Sequence, residues 1–135
     1  MKITHLKSYS KKLELEFYDF FLSSKPYDLD YIRSPHLRRQ KIESLFSTYC
    51  KTSQVYTVEE DSKLKLAAFV LDGGSYLDVA FIFGVSKNFG SVEIVNAARS
   101  VLEYAMQSLG KNYIKSEIRR KHKVQSYKKW LERRK

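Results

Sequence analysis

The chain has 135 residues, of which 43% are hydrophobic and 14% aromatic, and it carries a net charge of +10. This apolar content excludes a disordered chain, and the length fits one domain with its own core. No apolar run reaches the roughly 18 residues of a membrane span, and the single cysteine excludes an internal disulfide. We therefore expect one soluble domain over 1–135, in a reducing compartment such as the cytoplasm.

The first third of the chain predicts one strand and two helices. Residues 2–6 are expected to form a strand, and 7–22 repeats apolar residues at helical spacing. Ser34 followed by Pro35 is typical of a helix start, because the serine oxygen accepts from free amides and proline suits the first turn. This second helix is expected to run to about Cys50, which we interpret as a small core or boundary residue.

The middle of the chain predicts three antiparallel strands, over 54–60, 63–71 and 76–83. Residues that are β-branched or aromatic are interrupted there only by turn formers, at 61–62 and 73–74. The pattern is typical of a meander, in which consecutive strands pair with one another.

A long helix is predicted over 91–109, because apolar residues recur there with a period of 3.6 and Gly110 follows as a C-terminal stop. Its inward stripe is expected to be Val95, Ala98, Val101 or Leu102, Ala105 and Leu109. A strand at 113–118, with a basic helix from about 124 to the end, completes the order.

This order of elements resembles the GNAT superfamily of acyl-CoA-dependent N-acyltransferases, with the sequence likeness concentrated in 55–131. Residues 58–69 resemble the family's second strand, turn and third strand, and 76–85 resembles its fourth strand. The distance from Val85 to Gly110 matches the family's valine-to-glycine spacing without a gap. The resemblance implies an α/β domain of three layers, in which a mixed, mostly antiparallel sheet is flanked by helices.

The resemblance also implies a site for acetyl-CoA. In the family, backbone groups of the fourth strand bind the pantetheine arm. The pyrophosphate lies on bare amides at the next helix N-terminus, where the helix dipole is positive. The implied cofactor-binding residues are Phe83, Gly84 and Val85 on the strand and Gly90, Ser91 and Val92 at the helix start.

The diagnostic motif of the family, Gln/Arg-x-x-Gly-x-Gly/Ala, is degraded in this chain. Gly90 stands in the basic or Gln position, Glu93 in the first glycine position and Val95 in the second. At an effective dielectric near 20, a carboxylate about 4 Å from a phosphate charge repels it by roughly 4 kcal/mol before screening. The plainer interpretation of Glu93, which we favour, is a stabilising acid in the first turn of a helix, and it needs no ligand. The motif therefore weakens the prediction of catalysis.

Tyr127 is the best available general acid for acyl transfer. The family's usual tyrosine would fall on Lys128 or Lys129, and Tyr127 is the nearest phenol. It also fits an inward helical stripe with Val124 and Leu131, which is the ordinary role of an aromatic residue at that spacing.

No metal site is expected. His5, His36 and His122 are far apart and have no Cys or acidic partner at metal-ligand spacing.

Typical relatives continue with a β-hairpin that closes the sheet, so we expect a sheet that lacks this hairpin and leaves the strand at 113–118 at an edge. Proteins normally cover or charge such an edge. A protein partner or a second copy of the chain could pair there and form an oligomer. In size and loss of motif, the chain is similar to GNAT-like proteins of tailed phages, some of which are virion proteins.

The basic end, residues 111–135, carries eleven Lys and Arg against Glu117 and Glu132, and so holds nearly all of the +10. Its expected contacts to phosphates or partners are Arg119, Arg120, Lys121, Lys123, Lys128, Lys129, Arg133 and Arg134. The plainer interpretation is a solvated helix whose cations suit the negative end of its dipole. Two functions stay open: an N-acyltransferase, or a non-catalytic phage virion or host-interaction protein that binds partners or nucleic acid through the basic end.

Overall fold

A computed structural model describes residues 1–24 and 33–116. The elements are β1 (Lys2–Leu6), α1 (Lys11–Ser24), α2 (Pro35–Thr52), β2 (Gln54–Glu60), β3 (Lys63–Asp72), β4 (Leu77–Gly84), α3 (Ser91–Leu109) and β5 (Ile114–Ser116). The predicted type and order of these elements are confirmed. Four predictions lie outside the described residues: the strand end at 117–118, the helix from about 124, Tyr127 as general acid, and the eight cations between 119 and 134.

The five strands form one sheet in the order β1-β2-β3-β4-β5. The first four are antiparallel neighbours, and β5 runs parallel to β4. Asp61 and Ser62 both have positive φ, 54° and 63°, between β2 and β3, as a two-residue hairpin turn that matches the twist of the strands requires. The predicted mixed, mostly antiparallel sheet is confirmed.

Strand β3 contains an extra residue near its start. Val58 pairs with Leu66 and Glu59 with Leu64, so Lys65 has no residue opposite it in β2. Such a bulge inverts the alternation of side chains between the two faces of the sheet. As a result, Leu64 and Leu66 lie in different core layers although they are two residues apart.

Strand β4 has a similar irregularity at Ala80. Phe69 pairs with Phe81 and Val70 with Val79, which leaves Ala80 without an opposite residue in β3. Val79 therefore faces one core layer and Phe81 packs against the other. Along β4, the odd-numbered residues therefore face the α3 layer before Ala80 and the other layer after it, where Ile82 takes their place against α3.

Helix α3 covers one face of the sheet, over an aliphatic core. The buried members are Tyr56, Val58, Leu66, Ala68, Val70, Leu77 and Val79 from the sheet and Ala97, Val101, Leu102, Ala105 and Met106 from the helix. Val95 was predicted to face inward, but it is 51% exposed. Ile94 makes the contact with the sheet instead, which turns the neighbouring Val95 toward solvent.

Helices α1 and α2 cover the opposite face with an aromatic core. Phe17 lies at its centre, with ring centroids of its neighbours between 4.8 and 6.3 Å away. These neighbours are Phe21, Phe46, Tyr49, Phe69, Phe81 and Phe83. Tilted and edge-on ring pairs of this kind stabilise a core beyond the area that they bury.

The start of α1 differs from the prediction, because it begins at Lys11 and not at Lys7. Ser10 caps it: its Oγ accepts from the amide of Leu13 at 3.2 Å. The cap at Ser10 was not predicted from the sequence. The cap predicted at Ser34 is confirmed, because the Ser34 Oγ accepts a hydrogen bond from the amide of Leu37. Side-chain caps satisfy amides that a helix itself leaves unpaired, and so they decide where a helix begins.

Cys50 is exposed, which corrects its prediction as a core or boundary residue. The last turn of α2 places it at the wall of a cavity of about 560 Å³ between β1, α1 and α2. Partial desolvation, followed by the nearby Glu14 carboxylate, raises the pKa of the Cys50 thiol. The thiol is therefore held in its weakly reactive neutral form.

The helices in the described part of the chain are too short or too polar to cross a membrane.

Candidate cofactor site

The candidate cofactor site lies where β4 ends and α3 begins. Gly84 is the last residue of β4, and residues 85–90 lead into α3 at Ser91. The first turn of α3 packs against the end of the strand so closely that a Cβ on Gly84 would lie 2.4 Å from Cγ2 of Ile94. Only glycine allows this approach, since carbon atoms in contact normally stay about 3.5–4.0 Å apart.

Backbone groups at the end of β4 alternate between its two sides. The amide of Val85 donates to the carbonyl of Lys65 at 2.9 Å, so Val85, and Phe83 two residues before it, direct their backbone groups to β3. Ile82 and Gly84 direct theirs to the other side. On that side, within the described residues, β5 pairs with β4 only along Leu77–Val79. The backbone of Gly84 therefore has no partner strand in this part of the structure.

No side chain among the described residues caps the start of α3. Gly90 is its N-cap, with φ −71° and ψ 160°, and the Gly90 carbonyl accepts from Ile94 at 3.1 Å. No atom lies within 4 Å of where a Cβ on Gly90 would be, and Ser91, Val92 and Glu93 are exposed. The amides of this first turn thus open to solvent at the positive end of the helix dipole.

Glu93 lies in the same first turn as these amides. Its side chain is exposed, whereas the adjacent Ile94 packs against the core. The carboxylate places a negative charge beside the amides, where it stabilises the helix and opposes a second anion.

Lys87 ties the loop between β4 and α3 to helix α1. Its Nζ lies 2.8 Å from Oε1 of Glu16 and 3.5 Å from Oδ2 of Asp19. The hydrogen bond to Glu16, with a further contribution from Asp19, raises the pKa of the Lys87 ammonium. Half-exposed ion pairs contribute about 0–1 kcal/mol to stability, so Lys87 remains free to exchange its partners at low cost.

Lys65, in β3, contacts the same loop between β4 and α3. Its side chain is buried, with Nζ 2.8 Å from Oε2 of Glu60 and 4.7 Å from the ring centroid of Phe89. The bond from Lys65 lowers the pKa of the Glu60 carboxyl. Because the Lys65 carbonyl holds the amide of Val85 as well, this one residue contacts both ends of the loop. Sequence reasoning missed it, although a lysine within an apolar strand was a visible signal.

The six residues predicted to bind the cofactor come together at this junction. The side chains of Phe83 and Val85 are buried in the aromatic core. Gly90, Ser91 and Val92 lie on the solvent-exposed side of the junction. The cavity near Cys50 is lined by other residues. Among residues 1–24 and 33–116, no three His, Cys, Asp or Glu are grouped so that they could hold a metal ion.

Several solved acetyltransferases superpose on this chain. A protein from Pyrococcus furiosus, assigned as an acetyl transferase, has a TM-score of 0.64 at 17% identity, over 96% of this chain and 91% of its own. An acetyltransferase of the GNAT family from Staphylococcus aureus has a TM-score of 0.61 at 11% identity, over 98% and 82%. The chain has the GNAT fold. A third neighbour, a protein from Clostridium acetobutylicum that is assigned as an acetyltransferase and was solved with acetyl-CoA, has a TM-score of 0.55 at 11% identity, over 96% and 88%.

The sequence matches no protein-family model, and no curated protein is significantly similar to it. At these identities the GNAT fold is retained in three dimensions while most side chains differ. A fold hosts many activities, so function has to be argued from the site.

Proposed function

We propose that this GNAT-fold chain binds acetyl-CoA at the junction of β4 and α3 and transfers the acyl group to an amine. The observation that carries the proposal is the exposed start of α3 beside the backbone of Gly84; within residues 1–24 and 33–116, neither a side-chain cap nor a partner strand occupies these groups. The solved GNAT-fold protein that holds acetyl-CoA supports the choice of ligand.

The backbone supplies most of the proposed binding groups. The amides of Ser91 and Val92 would hold the pyrophosphate, because free amides at a helix N-terminus bind anions without any side chain. The backbone of Gly84 would pair with the amide groups of the pantetheine arm. Phe83 and Val85 contribute by shaping the strand, since their own backbone groups face β3. Glu93 stands where the family motif has a glycine. On this proposal it lowers the affinity for acetyl-CoA but leaves the Ser91 and Val92 amides available as donors.

Tyr127 is the proposed general acid, on the strength of the sequence resemblance. A phenol that protonates the leaving thiolate would assist departure of CoA. Replacement of Tyr127 by Phe should lower the rate of thiol release in the presence of an amine and leave the affinity for acetyl-CoA unchanged.

Ser91→Pro tests the anion-binding amides without disturbing the helix. Proline is favourable at the first helical position and removes only an N–H that the helix does not use. We expect the thermal stability of the free protein to be kept and the affinity for acetyl-CoA, measured by calorimetry, to fall about 10- to 150-fold, as for a lost charge-assisted hydrogen bond.

Lys11→Pro is the matched control, because it makes the same change at the first residue of α1, away from the site. Its affinity for acetyl-CoA should equal that of the unaltered chain. A ligand at about 100 times its dissociation constant stabilises a protein by about 2.7 kcal/mol. Failure of millimolar acetyl-CoA to raise the melting temperature would therefore overturn the proposal.

A second candidate is a non-catalytic partner-binding protein, of the kind found in phage virions or in phage–host interactions. Strand β5 is the last strand of the described sheet, and nearly all of the net charge belongs to residues 111–135. Pairing of a protein partner or a second copy along β5 would complete the sheet. Light scattering at several concentrations tests this candidate: concentration-dependent association supports it, and a strict monomer without a binding partner contradicts it.

A further inference from the structure

Two tyrosines lie side by side where the β3–β4 turn meets the start of β5. The ring centroids of Tyr76 and Tyr113 are 5.9 Å apart, with the planes inclined by 31°. Ile114 packs toward α3, so its neighbour Lys115 points to the other face of the sheet. The Lys115 ammonium lies 5.4 Å from the centroid of the Tyr76 ring. We call Tyr76, Tyr113 and Lys115 the tyrosine platform.

Local contacts hold both rings in place. Tyr76 lies against the backbone of Gly73, where a Cβ would come within 2.4 Å of its Cε2. The hydroxyl of Tyr113 is 3.0 Å from Oγ of Ser75, and its carbonyl accepts from the amide of Leu77 at 2.9 Å. Rings that are ordered before binding lose little conformational entropy when a ligand stacks on them.

Lys111 connects the segment that carries Tyr113 to the β3–β4 turn that carries Tyr76. Lys111 forms an ion pair with Asp72 and donates to the carbonyl of Gly74. The bond from Lys111, with a second from the Gly74 amide, lowers the pKa of the Asp72 carboxyl. Lys111 is therefore committed to the fold, while Lys115 is exposed and lies opposite Asp78 in the β4–β5 pair.

The platform is open to solvent in spite of these contacts. Tyr113 is 53% exposed and Tyr76 is half-buried. The platform lies at the beginning of the segment 111–135, which holds nearly all of the net charge of the chain. Solvent-accessible rings with the Lys115 ammonium beside them, in a chain of net charge +10, complement a ligand that is both aromatic and polyanionic.

We propose that the tyrosine platform stacks the unpaired bases of a single-stranded nucleic acid. Single strands are bound by aromatic rings presented on an open sheet face, on which bases stack, together with cations that follow the phosphates. Base pairs in a duplex hide the faces that such rings need. An acidic protein surface would use the charge but not the ring. This function is independent of acetyl-CoA binding.

The test is fluorescence anisotropy of the full chain with a labelled oligothymidylate of about 15 nucleotides, a length in the range that such proteins cover. Tyr113→Ala should weaken binding between about 5-fold and 100-fold, as expected for loss of one stacked base. Tyr113→Phe keeps the ring and should bind within about twofold of the unaltered chain. Tyr9→Ala is the matched control, because Tyr9 is also exposed but precedes α1; it should have no effect.

Lys115→Gln tests whether Lys115 contacts a phosphate, through the salt dependence of the affinity for single strands. On single strands, each phosphate contact contributes about 0.7 to the slope of log affinity against log salt, so the slope should become shallower by about that amount.

Three outcomes would overturn the proposal. The first is no binding to single strands at low salt. The second is equal affinity of Tyr113→Ala and the unaltered chain, which would assign all binding to the basic end. The third is displacement of the oligonucleotide by polyglutamate at equal charge concentration, with duplex and single strand bound alike, which would identify a surface for acidic proteins. Circular dichroism of Tyr113→Ala and the intact affinity of Tyr113→Phe separate a lost platform from a lost fold.

Discussion

The side chain of Ile94 lies directly against the backbone of Gly84, with Cγ2 only 2.4 Å from where a Cβ on Gly84 would stand. This contact joins the last residue of β4 to the first turn of α3. It determines how α3 is rotated about its axis, and it places the free amides of that turn next to the end of the strand. The geometry of the candidate site depends on it.

Gly84→Ala should therefore destabilise the protein and disturb the site together. The added methyl group must displace Ile94 and with it the first turn of α3, and overpacking of this kind costs about 1–3 kcal/mol. Urea unfolding followed by circular dichroism measures the loss, and calorimetry with acetyl-CoA measures the effect on the site.

Two substitutions of Ile94 show whether its contact with residue 84 causes the loss of stability in Gly84→Ala. Ile94→Ala removes Cγ2 and should recover part of the stability lost in Gly84→Ala. Ile94→Val keeps Cγ2 and should recover none. Strictly additive effects of Gly84→Ala and Ile94→Ala would mean that the two residues are not coupled, and the account of the junction would be wrong.

Glu93→Gln should strengthen acetyl-CoA binding while slightly weakening the fold. Removal of the carboxylate relieves repulsion of the pyrophosphate but also removes a favourable charge from the first turn, a loss of about 0.3–1 kcal/mol. We expect several-fold tighter binding at low salt and a smaller gain in about 0.5 M salt, because salt screens exposed charges. Glu103→Gln, on the exposed side of the same helix farther from its start, is the control. An unchanged affinity in Glu93→Gln would show that the anion does not bind at this turn.

Thr57→Val should stabilise the protein. Thr57 is 2% exposed, and its Oγ1 has no hydrogen-bond partner among the residues that the structure describes. A buried hydroxyl without a partner costs about 1–3 kcal/mol, and valine fills nearly the same volume. We expect a gain of about 1 kcal/mol in urea unfolding. Thr57→Ser keeps the hydroxyl, removes the methyl group and should destabilise; a loss of stability in Thr57→Val would mean that the hydroxyl is satisfied.

Tyr18 should make the fold less stable at alkaline pH. Burial, together with the negative charge of Glu43, raises the pKa of the Tyr18 phenol from 10.0 to about 12. The unfolded chain then loses this proton near pH 10 while the folded chain keeps it, so the contribution is complete below pH 10 and is lost between pH 10 and about 12.

Urea unfolding of Tyr18→Phe as a function of pH isolates this contribution. The difference in unfolding free energy between the variant and the unaltered chain should be constant from about pH 6 to 9 and should shift in favour of the variant above pH 10. Parallel curves up to pH 12 would contradict the raised pKa.

Local sequence features determined the positions of most elements. The bounds of β1, β2 and α3 agree with prediction, because each rests on a short-range signal: alternation, a turn pair, or a 3.6-residue period that ends at Gly110. Gly110 has φ 68° and lies in the left-handed region, which glycine adopts without strain. The GNAT order of elements could therefore be inferred before any tertiary contact was known.

The tertiary structure decided which face of each element is buried. Val95 and Ala97 are both apolar and two residues apart, yet only Ala97 is buried, because the Gly84–Ile94 contact sets the rotation of α3. Likewise, the bulge at Lys65 brings a charged side chain beneath the loop before α3. Neither effect can be read from the sequence of one helix or one strand. Each depends on which residue of an element distant in sequence contacts it.

The candidate site divides in the same way. From the sequence, the resemblance to the GNAT superfamily implied a site where the end of the fourth strand meets the start of the next helix. Only the tertiary structure shows that the Gly84 backbone faces away from β3 and that the Val85 amide is occupied by a hydrogen bond. The contacts that Lys65 and Lys87 make with the loop also appear only there. Hydrogen-bond direction along a strand depends on the register with its neighbour, and register is a property of the assembled sheet.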